Sequence, residues 1–329
     1  MAKQPADRRL DELLDLLVKN ATVVMSGTKI ASQLRVAPST LWEWVERLRS
    51  LGVEVRGLPG AGYQLEKMPD VLTPQAVRRS LHHGQFGCRV VHFYKTNSTM
   101  SEAERLAGEG APHGMLVIAE EQTAGRGRFG RQWVSERAAG IYFTLVLRPA
   151  LSPAAAPILT LLAGVALAET IREICQLPTD LRWPNDVLIH GKKCAGILVE
   201  MTAEPERIER VLLGIGVNVN QRQMPANLAA EATSLSLEAG RSFSRLAILA
   251  AVLKRLEQYY LRLLEQGPAV IVQQFSEISS YARGKRVKIT DGTRVLTGET
   301  VGLSPEGILL LRRDDGQTEM VLGGQVRAE

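Results

Sequence analysis

Cysteine is scarce: Cys88, Cys175 and Cys194 are the only three in 329 residues, and their odd number and spacing build neither a disulfide framework nor a zinc site. That scarcity fits a reducing compartment such as the cytoplasm. The first residues lack an apolar signal core. The most apolar stretch, Ala154 to Ala168, is interrupted by Pro157 and reads as too short to span a bilayer, so no membrane partner is expected. Low-complexity segments are missing as well. The net charge of +5 is spread thinly, and residues 1–67 carry ten Lys and Arg against eight Asp and Glu, which excludes a basic arm. What remains, 45% hydrophobic and 23% charged residues, is the balance of an ordinary folded chain, long enough for two or three domains of roughly 100 to 200 residues.

Leu10, Leu13, Leu14, Leu17 and Val18 fall on one stripe and predict a first helix from Arg8 to Asn20. A short helix from Thr28 to Leu34, a turn at Arg35 to Ala37, and a third helix opened by Pro38 and stopped by Gly52 follow. In that third helix Leu41, Val45 and Leu48 face inward, with Trp42 and Trp44 expected on its flanks. Val53 to Arg56, the turn Leu58 to Gly62, and Tyr63 to Leu65 then make a hairpin. Helix, short helix, turn, helix and hairpin is the order of a winged helix-turn-helix, whose second motif helix enters a major groove. Ser39, Thr40 and Glu43 would face bases, and Lys29, Arg47, Arg49 and Arg56 would supply phosphate contacts. A small protein-binding module uses the same helices and stays open as an alternative.

After a linker at Lys67 to Asp70, strand and helix patterns alternate as in a mixed α/β domain. Strands are expected at Val90–Tyr94, Met115–Glu120, Ile141–Leu147, Ala195–Thr202 and Val211–Asn218, and long helices at Pro153–Cys175 and Arg245–Glu265. From Tyr281 onward, short strands separated by Asp291-Gly292, Pro305-Glu306-Gly307 and Asp314-Asp315-Gly316 read as a small β-barrel.

Three stretches carry chemistry. In Gln122-Thr123-Ala124-Gly125-Arg126-Gly127-Arg128-Phe129-Gly130-Arg131-Gln132-Trp133, glycines let backbone N–H groups approach a ligand and guanidinium forks grip phosphate or carboxylate oxygens. Gly125, Gly127 and Gly130 also satisfy the dinucleotide-binding spacing, but no helix is expected to follow. Arg182-Trp183-Pro184-Asn185-Asp186 leads into a predicted hairpin whose second arm carries Lys193 and Gly196, a carboxylate, amide and ammonium suited to a metal-nucleotide site. Gly214-Ile215-Gly216-Val217-Asn218 is a strand end open to a flat ligand. Thr99 to Glu102 reads as a capping box, with Thr99 as the cap. No Ser-His-Asp or Cys-His arrangement is evident.

Together with Asn97-Ser98-Thr99-Met100, these motifs resemble, in order and over nearly the whole chain, the bacterial bifunctional biotin-protein ligases that double as biotin-operon repressors. The resemblance implies a multidomain mixed α/β chain: a winged helix-turn-helix at 1–67, a biotin/lipoate-ligase catalytic domain related to class II aminoacyl-tRNA synthetases at 68–280, and an SH3-like barrel at 281–329. It implies that biotin and ATP, with Mg²⁺, form biotinyl-adenylate, and that the biotinyl group then passes to a lysine of a biotin carboxyl carrier protein. Ser98, Thr99, Met100, Gln122, Gly125, Arg126, Gly127, Arg128, Trp133, Asn185, Lys193, Gly196, Gly216 and Asn218 would hold biotin and adenylate. Lys193, Arg126, Arg128 and Asp186 would act in catalysis, Asp186 also on the metal. An adenylate-bound homodimer on operator DNA is implied too. Arg182, Phe129 and Gln325 depart from common residues of the family, and Phe129 is expected as an apolar lid. A ligase without operator binding, a nicotinamide-sensing repressor and a lipoate-attaching enzyme are the alternatives.

Overall fold

In the computed structural model, which describes residues 5–68, 70–81, 84–292 and 294–329, the leucine stripe forms helix α1 (Pro5–Lys19). Helix α2 (Gly27–Leu34) ends at Arg35 with φ of 53°, and α3 (Pro38–Ser50) opens on a proline whose missing N–H has no intrahelical partner to lose. Leu10, Leu13, Ile30, Leu41, Val45 and Leu48 close one apolar core. The wing is β1 (Val55–Leu58) paired antiparallel with β2 (Gly62–Leu65), two residues later than expected. Gly62 is required there: its φ is 132°, and any Cβ would collide with the Met25 carbonyl where the wing is pinned to the α1–α2 connection. Trp44 packs on this core, whereas Trp42 is 57% exposed.

Helix α4 (Pro74–Ser80) precedes β3 (Val90–Phe93), α5 (Thr99–Gly108) and β4 (Met115–Ala119). Then come β5 (Gln122–Arg126), β6 (Gln132–Ser135), β7 (Gly140–Leu147), α6 (Ile158–Cys175), β8 (Asp180–Arg182), β9 (Asp186–Ile189), β10 (Lys192–Ala203) and β11 (Ile208–Asn218). Helices α7 (Leu235–Ala239), α8 (Arg245–Gln266) and α9 (Ala269–Ile278) follow. The main sheet runs β3-β4-β7-β11-β10-β9-β8, parallel between β3 and β4 and otherwise antiparallel. Period-two alternation divides its side chains between two cores. Ile141, Phe143, Leu145, Val211, Leu213 and Ile215 face α6 and α8, while Val146 and Leu212 face α5. Gly214, Gly216 and Asn218 therefore lie on the α5 face.

The 3₁₀ turn Pro153–Ala155 runs on into α6, so the helical stretch Pro153–Cys175 reaches 23 residues and is long enough by composition to cross a membrane, contrary to the sequence reading. It lies against the sheet with 72% of its most apolar window buried. Strands β12 (Arg283–Asp291), β13 (Arg294–Leu303), β14 (Leu309–Arg313), β15 (Thr318–Val321) and β16 (Gln325–Ala328) form a five-stranded antiparallel sheet in the order β15-β14-β13-β12-β16. Its inner residues Val287, Ile289, Leu309 and Leu311 continue the large core without a break.

Of the expected linker Lys67–Asp70, Pro69 lies outside the described residues, and Asp70 is anchored. Its carboxylate accepts from Arg245 Nε at 3.1 Å and from the Leu246 amide at 3.2 Å. Arg245, 1% exposed, also meets Glu120 Oε2 at 2.8 Å. The other Glu120 oxygen lies 3.3 Å from His92 Nε2, and His92 Nδ1 lies 3.4 Å from Asp11 of α1, which also accepts from the Tyr94 hydroxyl at 2.9 Å. Buried charges thus join the winged helix to the main sheet.

Burial pushes the Glu120 carboxyl up, but Arg245 and His92 outweigh it and hold it near 2. Burial likewise pulls the His92 imidazolium down, yet Asp11 and Glu120 together leave it above 6.5. A raised native histidine stabilises fully below its unfolded value, and this is lost as pH rises through the raised native value; a depressed carboxyl stabilises above its unfolded value, and this is lost as pH falls toward 2. Melting temperature measured across pH should therefore fall on both the acid and the alkaline side. His92→Gln should lower stability on the order of 3–5 kcal/mol and flatten the alkaline limb. A wild-type profile level from pH 6.5 upward would contradict the buried imidazolium.

Candidate functional site

The glycine-arginine stretch folds as a hairpin. Strands β5 and β6 pair Gly125 with Trp133, the Gly127 amide donates to the Arg131 carbonyl at 2.8 Å, and the turn places Phe129 and Gly130 at φ of 58° and 70°. A β-turn with no helix behind it offers no helix N-terminus to pyrophosphate, so the dinucleotide-binding reading lapses. Phe129, expected as an apolar lid, is 58% exposed beneath the Arg128 guanidinium, 4.8 Å from its ring, and lines the cleft.

Lys193 gets its aim from a bulge. The β9–β10 ladder shifts register between Lys193 and Ala195, so Lys193 leaves the face of Ala195 and Ile197 and lays its stem across Gly196 on the α5 side. Its Nζ lies 2.5 Å from Asp186 Oδ1, while Arg182 Nη2 lies 2.8 Å from Oδ2. Burial pushes the Asp186 carboxyl up, but Lys193 and Arg182 outweigh it and hold it below 3.8, so it is ionised at neutral pH. Arg128 donates to Asn185 Oδ1 at 3.0 Å and to the Gly324 carbonyl at 3.5 Å. Three cations against Asp186, with Asp291 also facing Arg128, leave a positive surplus. Both Asp186 oxygens already face cations, and among the described residues no group of three or more His, Cys, Asp or Glu is placed to hold a metal ion. Asp186, expected as a metal ligand, is paired with Arg182 and Lys193 in this structure, so a metal ion would share its carboxylate with those cations.

On the other side of Lys193, Gln122 Oε1 accepts from the Thr99 amide at 2.8 Å and its hydroxyl at 3.2 Å, and Gln122 Nε2 donates to Ser135 at 2.8 Å. Thr144 donates to Thr99 Oγ1 at 2.9 Å. With Thr99 so engaged, the cap of α5 is Ser98, whose Oγ accepts from the Met100 amide, not Thr99 as the capping-box pattern predicts. Met100 packs against Gly214. The floor of Gly196 and Gly216 carries a flat group, but that group is the indole of Trp133, with Lys193 Nζ 5.3 Å from its ring. Arg126 is drawn outward to Glu200 at 2.7 Å.

Two spaces meet here. A cleft of about 1120 Å³ runs between the β5–β6 hairpin, the segment Asn218–Ala232 and the turn Gly324–Gln325. A recess of about 50 Å³ lies among Thr99, Met100, Gln122, Gly196, Gly214 and Gly216. Gly127, Arg128, Trp133, Asn185 and Lys193 line both. The Trp133 indole lies on the glycine floor of this recess, so a ring entering there meets it. Sequence reasoning missed Gln221 and Glu231 in the cleft. The run Asn220-Gln221-Arg222-Gln223, polar directly after the glycine strand, was the available signal.

In the winged helix, Ser39 and Glu43 are exposed with Lys29 and Arg56, and Thr40 is half-buried. Arg49 turns inward, donating twice to the Val55 carbonyl at 2.8 and 2.9 Å and to Glu46 at 2.6 Å. Arg47 lies over the Tyr94 ring at 5.8 Å. Both arginines were expected on phosphates, and in this structure each makes these contacts within the chain.

Residues 92–218 match the biotin/lipoate A/B protein ligase family, 283–326 the biotin protein ligase C-terminal domain, and 9–64 an HTH domain. The chain is 37% identical over 311 residues to the bifunctional ligase/repressor BirA of Bacillus subtilis, covering 93% of this chain and 94% of that one. It is 30% identical to BirA of Escherichia coli K12, covering 92% of each. The biotin protein ligase of Aquifex aeolicus, solved with biotin and ATP, superposes with a TM-score of 0.64 at 31% identity, covering 74% of this chain and all of that one. The chain belongs to the family of bifunctional biotin-protein ligases and repressors.

Proposed function

We propose that this chain activates biotin as its adenylate and transfers it to a lysine of a biotin carboxyl carrier protein, and that its winged helix represses transcription in the adenylate-bound state. The observation that carries the first half is the shared wall: Lys193 and Arg128 line both the recess and the cleft. A carboxylate held in the recess and a triphosphate held in the cleft meet beside those two cations.

The biotin carboxylate attacks the α-phosphorus, and pyrophosphate leaves. Negative charge grows on the phosphoryl oxygens, where Lys193, Arg128 and a re-aimed Arg126 stabilise it. Asp186 holds the Lys193 ammonium in line. Mg²⁺ would accompany the ATP phosphates and offset their charge, with Asp186 already facing Lys193 and Arg182. In the second half a neutral acceptor amine attacks the mixed anhydride, which is reactive enough that positioning suffices. Thr99 and Gln122, freed from each other, offer donors and an acceptor to a ureido ring, and Trp133 must leave the glycine floor for that ring to enter. In the cytoplasm, an adenylate-bound pair of chains would present two α3 helices to operator DNA.

Lys193→Ala should lower biotin-dependent ATP–pyrophosphate exchange about 100-fold. Unchanged exchange would remove Lys193 from the reaction, and exchange driven by lipoate but not biotin would reassign the substrate.

For the DNA module, Arg56→Ala should weaken binding evenly across sequences and reduce the slope of log affinity against log salt by about 1. Arg49→Ala should leave that slope alone and lower the melting temperature, because its donors brace the wing. A salt slope sensitive to Arg49 and indifferent to Arg56 would reverse the assignment.

A further inference from the structure

Asp186 fixes only the far end of Lys193, at Nζ. The near end, its main chain, is bonded by the segment that follows β11. The Lys193 amide donates to the Glu231 carbonyl at 2.8 Å, its carbonyl accepts from the Thr233 amide at 3.0 Å, and Lys193 forms an isolated parallel bridge with Ala232. These bonds fall at the bulge between Lys193 and Ala195, where the β9–β10 register breaks. Just before Lys193, the turn residues His190 and Gly191 have φ of 49° and 78°, a left-handed pair that a side chain at His190 adopts at a cost.

Glu238 of α7 reaches both the turn and the segment. Its Oε2 lies 2.7 Å from His190 Nδ1, and its Oε1 accepts from Thr233 Oγ1 at 2.6 Å. Burial pushes the Glu238 carboxyl up, but Thr233, His190 and Lys192 outweigh it and hold it below its ordinary value, so it is ionised at neutral pH. Helix α7 is a firm base for it: the Ser234 hydroxyl at its cap donates to the Gln221 carbonyl at 2.8 Å, the Ser236 amide donates to the Val219 carbonyl at 2.8 Å, and Leu235 is buried. Thr233 is buried too, and its carbonyl accepts from Asn218 Nδ2 at 3.0 Å. Glu238 itself lines neither the cleft nor the recess, so it can act on a reactant only through what it holds.

We infer that Glu238 is a positioning residue for adenylate formation: by clamping the turn before Lys193 and the segment beside it, Glu238 fixes the main chain from which the Lys193 ammonium is aimed. A lysine stem is flexible, so an ion pair at its tip does not by itself fix the charge once the root can shift, and a displacement of about 1 Å is enough to cost rate. This rests on the adenylating function proposed above.

Biotin-dependent ATP–pyrophosphate exchange should be measured, with melting temperature, for Glu238→Ala, Glu238→Gln and His190→Ala, each alone and combined with Lys193→Ala. Glu238→Ala should lower kcat about 10-fold and leave KM for biotin and MgATP within about twofold. Glu238→Gln keeps an oxygen for Thr233 and an amide for His190, and should restore most of the rate. His190 is 60% exposed, so His190→Ala should fold whatever becomes of the Glu238 variants, and it should lower kcat by about threefold. Combined with Lys193→Ala, none of the three should cost anything further, because no ammonium is left to aim. Losses that multiply undiminished with Lys193→Ala overturn the inference. So does a Glu238→Ala protein that melts lower but keeps its kcat, or a Glu238→Gln protein that folds and is as slow as Glu238→Ala. Each of these leaves the ligase reading standing, whereas no exchange by the wild-type protein with biotin and MgATP overturns that reading and this inference with it.

Discussion

A largely buried carboxylate, Asp186, between two cations sets the terms for the rest of the site. Arg182 ends β8, Asp186 begins β9 and Lys193 lies on β10, so one cluster fastens three neighbouring strands at the margin of the sheet. Removing an ion from water costs several kcal/mol, which paired geometry must offset. Partners at 2.8 and 2.5 Å, one on each oxygen, do so. Because Arg128 joins the same cluster through Asn185, the pairing neutralises Asp186 and still leaves cationic surplus. That surplus is fixed before any ligand arrives, and fixed charge is what stabilises charge growing in a transition state without reorganisation.

Much of the remainder of the site is satisfied by its own residues, the buried Trp133 Nε1 and Gln221 Oε1 being exceptions. Gln122 bonds Thr99 and Ser135, Arg126 pairs with Glu200, and Trp133 fills the floor that the glycines leave bare. Leaving those groups unpaired would cost more than pairing them, so the empty site is a stable arrangement in its own right. A ligand must exchange partners one for one, which favours a molecule carrying the same pattern of donors, acceptors and charge. Trp133 stands in the wall of both spaces, so the motion that opens the recess also reshapes the cleft.

Local pattern was enough for much of this. The order of the winged helix and the strands of the main sheet follow from spacing along the chain, whereas Lys193 was singled out by the family resemblance. What spacing does not carry is register across it. The bulge that turns Lys193 toward Asp186 depends on how β9 and β10 slide past each other, and the indole on Gly196 and Gly216 comes from a separate hairpin. Asp11, His92, Glu120 and Arg245 are scattered along the sequence and meet only in the fold. Arg49 looked like a phosphate contact because nothing in its own helix reveals that the Val55 carbonyl would claim it.

The position of Glu120 ties these parts together. It lies two residues before Gln122, at the point where the main sheet hands over to the ligand hairpin, and its carboxylate is the far end of the buried bridge to Asp11 of α1. At the opposite side, Arg131 donates to Gln325 at 2.6 Å and Arg327 to Glu231 at 3.0 Å, so the C-terminal sheet grips both the hairpin and the far wall of the cleft. The hairpin is thus held between the two terminal regions, by buried charges on one side and by exposed pairs on the other. Exposed pairs exchange readily with water and contribute little, whereas breaking a buried pair strands an ion in the interior. Movement of the hairpin is accordingly easiest away from the C-terminal sheet, and a movement large enough to displace Glu120 must carry His92 and Asp11 with it or leave them unpaired.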